Sequence, residues 1–130
     1  MIAVDTSALF AILADEPERA GFEEAIAAAD RCFISAATRV EIGIVICSRY
    51  GPAGRYYLSN FLSRAGVETK PVDAEQAETA ITAHRRFGTG IHAAGLTFGD
   101  CFSYAPARAL DVPLLCKGDG FPKTDIEIAS

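Results

Sequence analysis

Four short apolar runs, separated by long stretches carrying helical signals, constrain this chain more than any other feature of it. Residues 2–5 (IAVD), 31–35 (RCFIS), 67–72 (VETKPV) and 112–116 (VPLLC) read as strands, and 126–129 reads as a further one. Helical stretches fall at 6–14, 17–29, 36–50, 53–65, from the capping residue Asp73 to 87, and 100–110. Glu16-Pro17, Gly51-Pro52 and Gly66 punctuate them, and a glycine-rich loop (Gly88, Gly90, Gly95, Gly99) precedes the last helix. Alternation of this kind predicts an α/β domain over residues 1–130, with a central parallel sheet of four to five strands flanked by helices on both faces. A chain of 130 residues and 13.8 kDa is long enough for one core. Surface scaling leaves it roughly 6,600 Å² of about 20,000 Å² exposed once folded.

Half the residues are hydrophobic and 22% are charged, which excludes disorder. No apolar run is as long as a membrane span, because Asp5, Asp15, Glu41 and Arg49 interrupt the candidates. The start lacks the basic-then-apolar layout of a secretion signal, so a cytoplasmic protein without membrane contact is expected. Twelve basic against seventeen acidic residues give a net charge of −5, the wrong sign for simple electrostatic capture of nucleic acid. Cys32, Cys47, Cys101 and Cys116 form no CxxC pair and sit among apolar residues, so all four are expected as buried thiols.

Ligands of parallel α/β sheets bind outside the carboxyl ends of the strands. Asp5 follows the first strand, Glu41 lies in the helix after the second, Asp100 opens the helix after the glycine-rich loop, and Asp119 follows VPLLC. Taken singly, Asp5 and Asp100 read as helix caps and Asp119 as a turn residue. Glu41 is different, because it interrupts an almost continuous apolar stretch, VEIGIVI, that predicts a helix buried all round. No basic residue stands three or four positions from it. Four carboxylates gathered at one rim repel one another unless a cation lies between them, and oxygen donors of this kind suit a hard divalent ion.

DTSAL at residues 5–9, Glu41 in its apolar helix, GDCFSYA at 99–105 and LLCKGD at 114–119 resemble the PIN-domain ribonucleases, and more narrowly the VapC-type toxins of bacterial toxin–antitoxin pairs. The resemblance runs over essentially the whole chain and implies a single PIN-like domain. It implies that Asp5, Glu41, Asp100 and Asp119 are catalytic and hold Mg²⁺ or Mn²⁺, with Thr6 or Ser7 supporting them. The implied reaction is endonucleolytic hydrolysis of RNA by activated water, leaving a 3′-hydroxyl and a 5′-phosphate. The implied partners are RNA, an antitoxin whose C-terminal segment enters the site, and a second copy of the chain, giving a homodimer and a toxin–antitoxin hetero-oligomer.

Two positions depart from the family pattern. Gly120 stands where a second turn carboxylate is common, and Pro106 falls inside the last helix, so that helix either starts later than Asp100 or bends beside it. Arg39, Arg85, Arg86 and Lys117 are the candidate phosphate contacts, while His84 and His92 are not needed as bases. Tyr50, Tyr56, Tyr57 and Phe61 suggest core packing or a homodimer face. Two rival readings are a catalytically weak binding partner of an antitoxin and a phosphatase with an aspartyl nucleophile. The second lacks the DxD spacing after Asp5.

Overall fold

Three of the four strands are followed by helical stretches too long to fold back as hairpins, so their pairing must be parallel. In the computed structural model, which describes residues 1–129, the order is β1 (Ile2–Val4), α1 (Thr6–Leu13), α2 (Arg19–Ala28), β2 (Cys32–Ser35), α3 (Ala36–Tyr50), α4 (Ala53–Arg64), β3 (Val67–Lys70), α5 (Ala74–Phe87), α6 (Phe98–Leu110) and β4 (Leu114–Leu115). A 3₁₀ turn over Phe121–Lys123 follows. The sheet is parallel throughout, in the order β3-β2-β1-β4. The chain leaves β1 in one direction through β2 and β3, then returns to its other side as β4. The switch point, where α/β sheets open a crevice, therefore falls beside Asp5.

Alternation along the strands divides the core in two. Ile2, Val4, Cys32, Ile34 and Leu115 face α1, α2, α3 and α4, packing against Leu9, Ile12, Ile42, Ile46 and Leu62. Ala3 and Leu114 face α5 and α6, where Phe87, Leu96, Tyr104 and Phe121 close the second core. The accessible surface of 6,893 Å² is close to that expected of one folded domain of this mass.

Several boundaries differ from the expectation. Residues 126–129 contribute an isolated bridge, Leu114 to Ile128, so the sheet has four strands among the described residues. β4 shrinks to two residues, and α2 starts at Arg19 rather than Pro17. The last helix starts earlier than Asp100, at Phe98. Thr97 is its N-cap and forms a capping box with Asp100. Pro106 is consequently well inside α6 and buried, and the helix runs on to Leu110. Nor is α3 buried all round. Thr38, Ile42 and Ile46 form its inner stripe, whereas Val40 and Ile44 are 62% and 64% exposed. The sheet covers only one face of a helix at this position, and Glu41 sits at the margin, half-buried. Cys32, Cys101 and Cys116 are buried free thiols as expected, with Cys47 only half-buried. Burial pushes the Cys32 and Cys116 thiols up to about 12.

Candidate active site

Asp5 is the hinge of the site. It ends β1 and caps α1, and it is 3% exposed. Its Oδ2 accepts from the Ser7 backbone N–H at 3.0 Å and from the Ser7 hydroxyl at 2.6 Å, and its Oδ1 accepts from the Ser103 hydroxyl at 2.5 Å. The Ser7 oxygen in turn accepts from the Lys117 backbone N–H at 2.9 Å, joining the start of α1 to the segment after β4. Asp5 itself donates its backbone N–H to Leu115. A buried carboxylate is thus satisfied by neutral donors alone.

Glu41 reaches the same rim from α3. Thr6, the first residue of α1, donates its hydroxyl to Glu41 Oε1. The other carboxylate oxygen lies against Gly99 in the first turn of α6, so close that a β-carbon there would stand 2.1 Å from Oε2. Only glycine admits the Glu41 carboxylate at this position. Asp100 follows directly. Its Oδ2 accepts from the Thr97 N–H at 2.9 Å, and it is half-buried. Burial raises its proton affinity above the ordinary carboxylate range, against the lowering effect of the Thr97 bond, and the negative charge of Asp5 adds to the rise.

Three of the four acids foreseen from sequence therefore meet at one rim, Asp5 and Asp100 from the starts of α1 and α6 and Glu41 from the second turn of α3. Asp119 stands apart from their hydrogen-bond network. It is exposed on the turn two residues beyond Lys117, with none of the hydrogen bonds that link the others. Among the described residues no three acidic, histidine or cysteine side chains converge on one point as ready-made ligands. Each carboxylate is instead held by a hydroxyl or amide donor. The donor set still suits a hard cation: it consists of oxygen throughout, no Lys or Arg among the described residues is bonded to Asp5, Glu41 or Asp100, and glycine clears the space beside Glu41.

The basic candidates divide. Arg39 is exposed and donates to the Thr69 hydroxyl at 2.8 Å, and exposed Arg85 borders a 370 Å³ apolar groove between α5 and α6 with Phe98 and Phe102. Arg86 is paired with Asp125 at 3.0 Å, and Lys117 with Glu18 at 2.8 Å and Glu16 at 3.2 Å. Ser103 was absent from the sequence expectation. Its signal was available, since it stands one helical turn after Asp100 and shares that residue's face of α6.

Residues 2–127 match the PIN-domain family, and the chain belongs to it. It is 48% identical over 125 residues to a ribonuclease VapC of Mycolicibacterium smegmatis, covering 96% of this chain and 97% of that one. It is 45% identical over 125 residues to ribonuclease VapC30 of Mycobacterium tuberculosis, covering 96% and 95%. The chain is accordingly a hydrolase of the VapC endoribonuclease toxin group. The fold is shared with VapC20 of Mycobacterium tuberculosis, a toxin that cleaves the sarcin–ricin loop, at a TM-score of 0.78 and 19% identity over the full length of both chains. It is also similar to a chain of VapBC2 from Rickettsia felis, solved with a promoter DNA fragment, at a TM-score of 0.76 and 17% identity, covering 100% and 98%. No helix among the described residues is long and apolar enough to cross a membrane.

Proposed function

We propose that this endoribonuclease hydrolyses RNA phosphodiesters with Mg²⁺ or Mn²⁺ held by Asp5, Glu41 and Asp100, with Asp119 completing the set from its turn. The observation that carries the reading is the Gly99 cleft, which brings the Glu41 carboxylate beside the start of α6 next to Asp100, with no side-chain cation bonded to it among the described residues. When bound, such an ion supplies Lewis acidity toward water and the scissile phosphate. The protein's own part is to present oxygen donors in a fixed arrangement. Thr6 orients Glu41, Ser7 and Ser103 orient Asp5, and Thr97 orients Asp100. Arg39 and Arg85, which lack carboxylate partners among the described residues, are the contacts offered to RNA phosphates.

In this reading the chain is one domain over residues 1–130 that works in the cytoplasm as the toxin of a toxin–antitoxin pair, bound by its antitoxin and by a second copy of itself. Exposed Tyr56, at 75%, and Val40 and Ile44 on α3 are the apolar side chains such partners would cover. The decisive measurement is cleavage of a defined RNA with millimolar Mg²⁺ and with EDTA, for the wild type and Glu41→Gln. The wild type should cut only with the ion. Glu41→Gln keeps the oxygen that accepts from Thr6, so it should fold normally, lose most cleavage, and gain less thermal stability from Mg²⁺. Equal Mg²⁺ stabilisation of both proteins with unchanged cleavage would remove Glu41 from the site. Absence of cleavage by wild type under all conditions would favour a role in binding alone.

A further inference from the structure

We propose that Ser103, backed by Thr38, is a positioning residue that sets the Asp5 carboxylate and locks the three acid-bearing helices in register; the role rests on the metal-site reading above. Ser103 and Thr38 are each 1% exposed, and their hydroxyl oxygens are 3.1 Å apart. Ser103 lies 2.5 Å from Asp5 Oδ1, which has no other donor among the described residues. Proton counting fixes the direction of this chain. A hydroxyl carries one proton and a carboxylate only accepts, so the Ser103 proton is committed to Asp5. Thr38 must then be the donor in its bond with Ser103. The result is a directed relay from Thr38 through Ser103 to Asp5.

Its position in the fold gives the relay its consequence. Thr38 stands one turn before Glu41 on α3, and Ser103 one turn after Asp100 on α6. The Thr38–Ser103 bond therefore ties together the two helices that carry Glu41 and Asp100, and the Ser103–Asp5 bond ties both to the start of α1. The cap bonds from Ser7 hold only Oδ2, so Ser103 fixes the plane of the carboxylate. Groups that orient metal-binding side chains in this way affect affinity without touching the ion.

The test uses the purified chain, calorimetric titration with Mn²⁺, and RNA cleavage measured against Mn²⁺ concentration. Ser103→Ala should fold, weaken Mn²⁺ binding by about 10-fold or more, and shift the cleavage curve to higher Mn²⁺ by a matching factor. Thr38 supplies a check that does not depend on that variant folding. Thr38→Val keeps the shape and removes the donor, whereas Thr38→Ser keeps the donor and removes a buried methyl. A positioning role predicts weaker Mn²⁺ binding in Thr38→Val and recovery in Thr38→Ser. The reverse order, or wild-type Mn²⁺ affinity in both Ser103→Ala and Thr38→Val, overturns the proposal. Asp5→Asn separates the two levels of the argument. If it binds Mn²⁺ and cleaves like the wild type, the metal-site reading itself falls and the positioning role with it.

Discussion

Asp5 and Asp125 are both carboxylates fixed by several polar partners, yet those partners are of opposite kinds. Asp125 accepts from the Tyr104 hydroxyl at 2.7 Å and pairs with Arg86 at 3.0 Å and, more loosely, with Arg108 at 3.9 Å. Partial burial would raise its pKa, but Tyr104 and the two guanidinium groups outweigh that and hold it below the usual carboxylate range. Asp5 meets one amide and two hydroxyls and, among the described residues, no side-chain cation. Its neighbour Asp100 is pushed the other way, upward, by burial and by the charge of Asp5 itself. At Asp125 the protein neutralises a charge that fastens the C-terminal segment to α5 and α6. At the rim it orients charges through hydroxyl and amide donors and leaves them without a cationic partner among the described residues, which the proposed metal ion would supply. On the proposed reading, one region serves stability and the other binding.

That contrast breaks first at Asp5. Asp5→Asn should lower RNA cleavage by about 1,000-fold, the scale on which loss of an electrostatic contact to a transition state registers. Folding should survive, because Asn caps helices as well as Asp does and its oxygen can accept from the Ser7 N–H. Its amide can then donate to Ser103, whose hydroxyl turns to accept. Thermal melts in EDTA should show the variant equal to or more stable than wild type. Loss of folding would make Asp5 a structural cap like any other.

Gly99→Ala is the next largest effect and should dissociate the two properties within one residue. The backbone there is helical, so alanine gains up to about 1 kcal/mol of helix propensity. Its β-carbon nonetheless displaces the Glu41 carboxylate, since it would stand 2.1 Å from Oε2. Cleavage should fall by about 100-fold, as expected when a reacting group is misplaced by an ångström. A variant that is more stable and still fully active would show that Glu41 has no need of this cleft.

How far the sequence foretold these features depended on whether the signal was local. The helix over residues 36–50 matches expectation because Gly51-Pro52 stops it in the chain itself. The start of α6 did not match. Thr97 caps the helix three residues ahead of Asp100, where the sequence reading opens it, and Pro106 lies inside a helix that runs on to Leu110. The short β4 and the single bridge at Ile128 depend on where the sheet ends, which no local pattern specifies. The same division holds at the site. Asp5 was legible from its place after the first strand, Glu41 from its place in an apolar helix and Asp100 from its place after the glycine-rich loop, whereas the Ser103–Asp5 bond spans 98 residues and the Thr38–Ser103 bond 65. Burial of Glu41 was inferred from an apolar sequence that proved to have an exposed face.

Removing charge from the two regions should shift stability in opposite directions with pH. Asp125 has a lowered pKa when folded, so its contribution is present above the ordinary Asp range and disappears as pH falls through the folded value. Asp125→Asn should cost about 1–2 kcal/mol near pH 7, given half-exposed arginine partners and a buried tyrosine, and the gap should close under acid conditions. Asp100 has a raised pKa, so its ionisation disfavours the fold, a burden absent at low pH and complete once the pH passes the folded value. In EDTA, Asp100→Asn should therefore match wild type in acid and be somewhat more stable at neutral pH. Denaturant melts across pH 3–8, a range that brackets the ordinary carboxylate values, would check both signs. Parallel curves for the two variants would erase the distinction.

The smallest expected effect concerns Lys117, where side chain and backbone serve different regions. Its ammonium group is exposed and bound to Glu18 and Glu16, which raise its pKa. Its backbone N–H supports Ser7 beneath Asp5. Lys117→Gln leaves the backbone bond intact and frees two exposed glutamates, so the melting temperature should scarcely move. Because the ammonium group already has carboxylate partners, it should contribute little to RNA binding. Arg39 and Arg85 have none among the described residues. The slope of log affinity against log salt, measured with a short RNA and Asp5→Asn protein to prevent cleavage, distinguishes them. Replacing either arginine with Gln should lower the slope by about 1, the signature of one lost phosphate contact. Lys117→Gln in the same background should leave it unchanged. An equal drop for Lys117→Gln would mean that RNA displaces Glu16 and Glu18 from the lysine, and that a charge neutralised in the free protein is nonetheless available to the substrate.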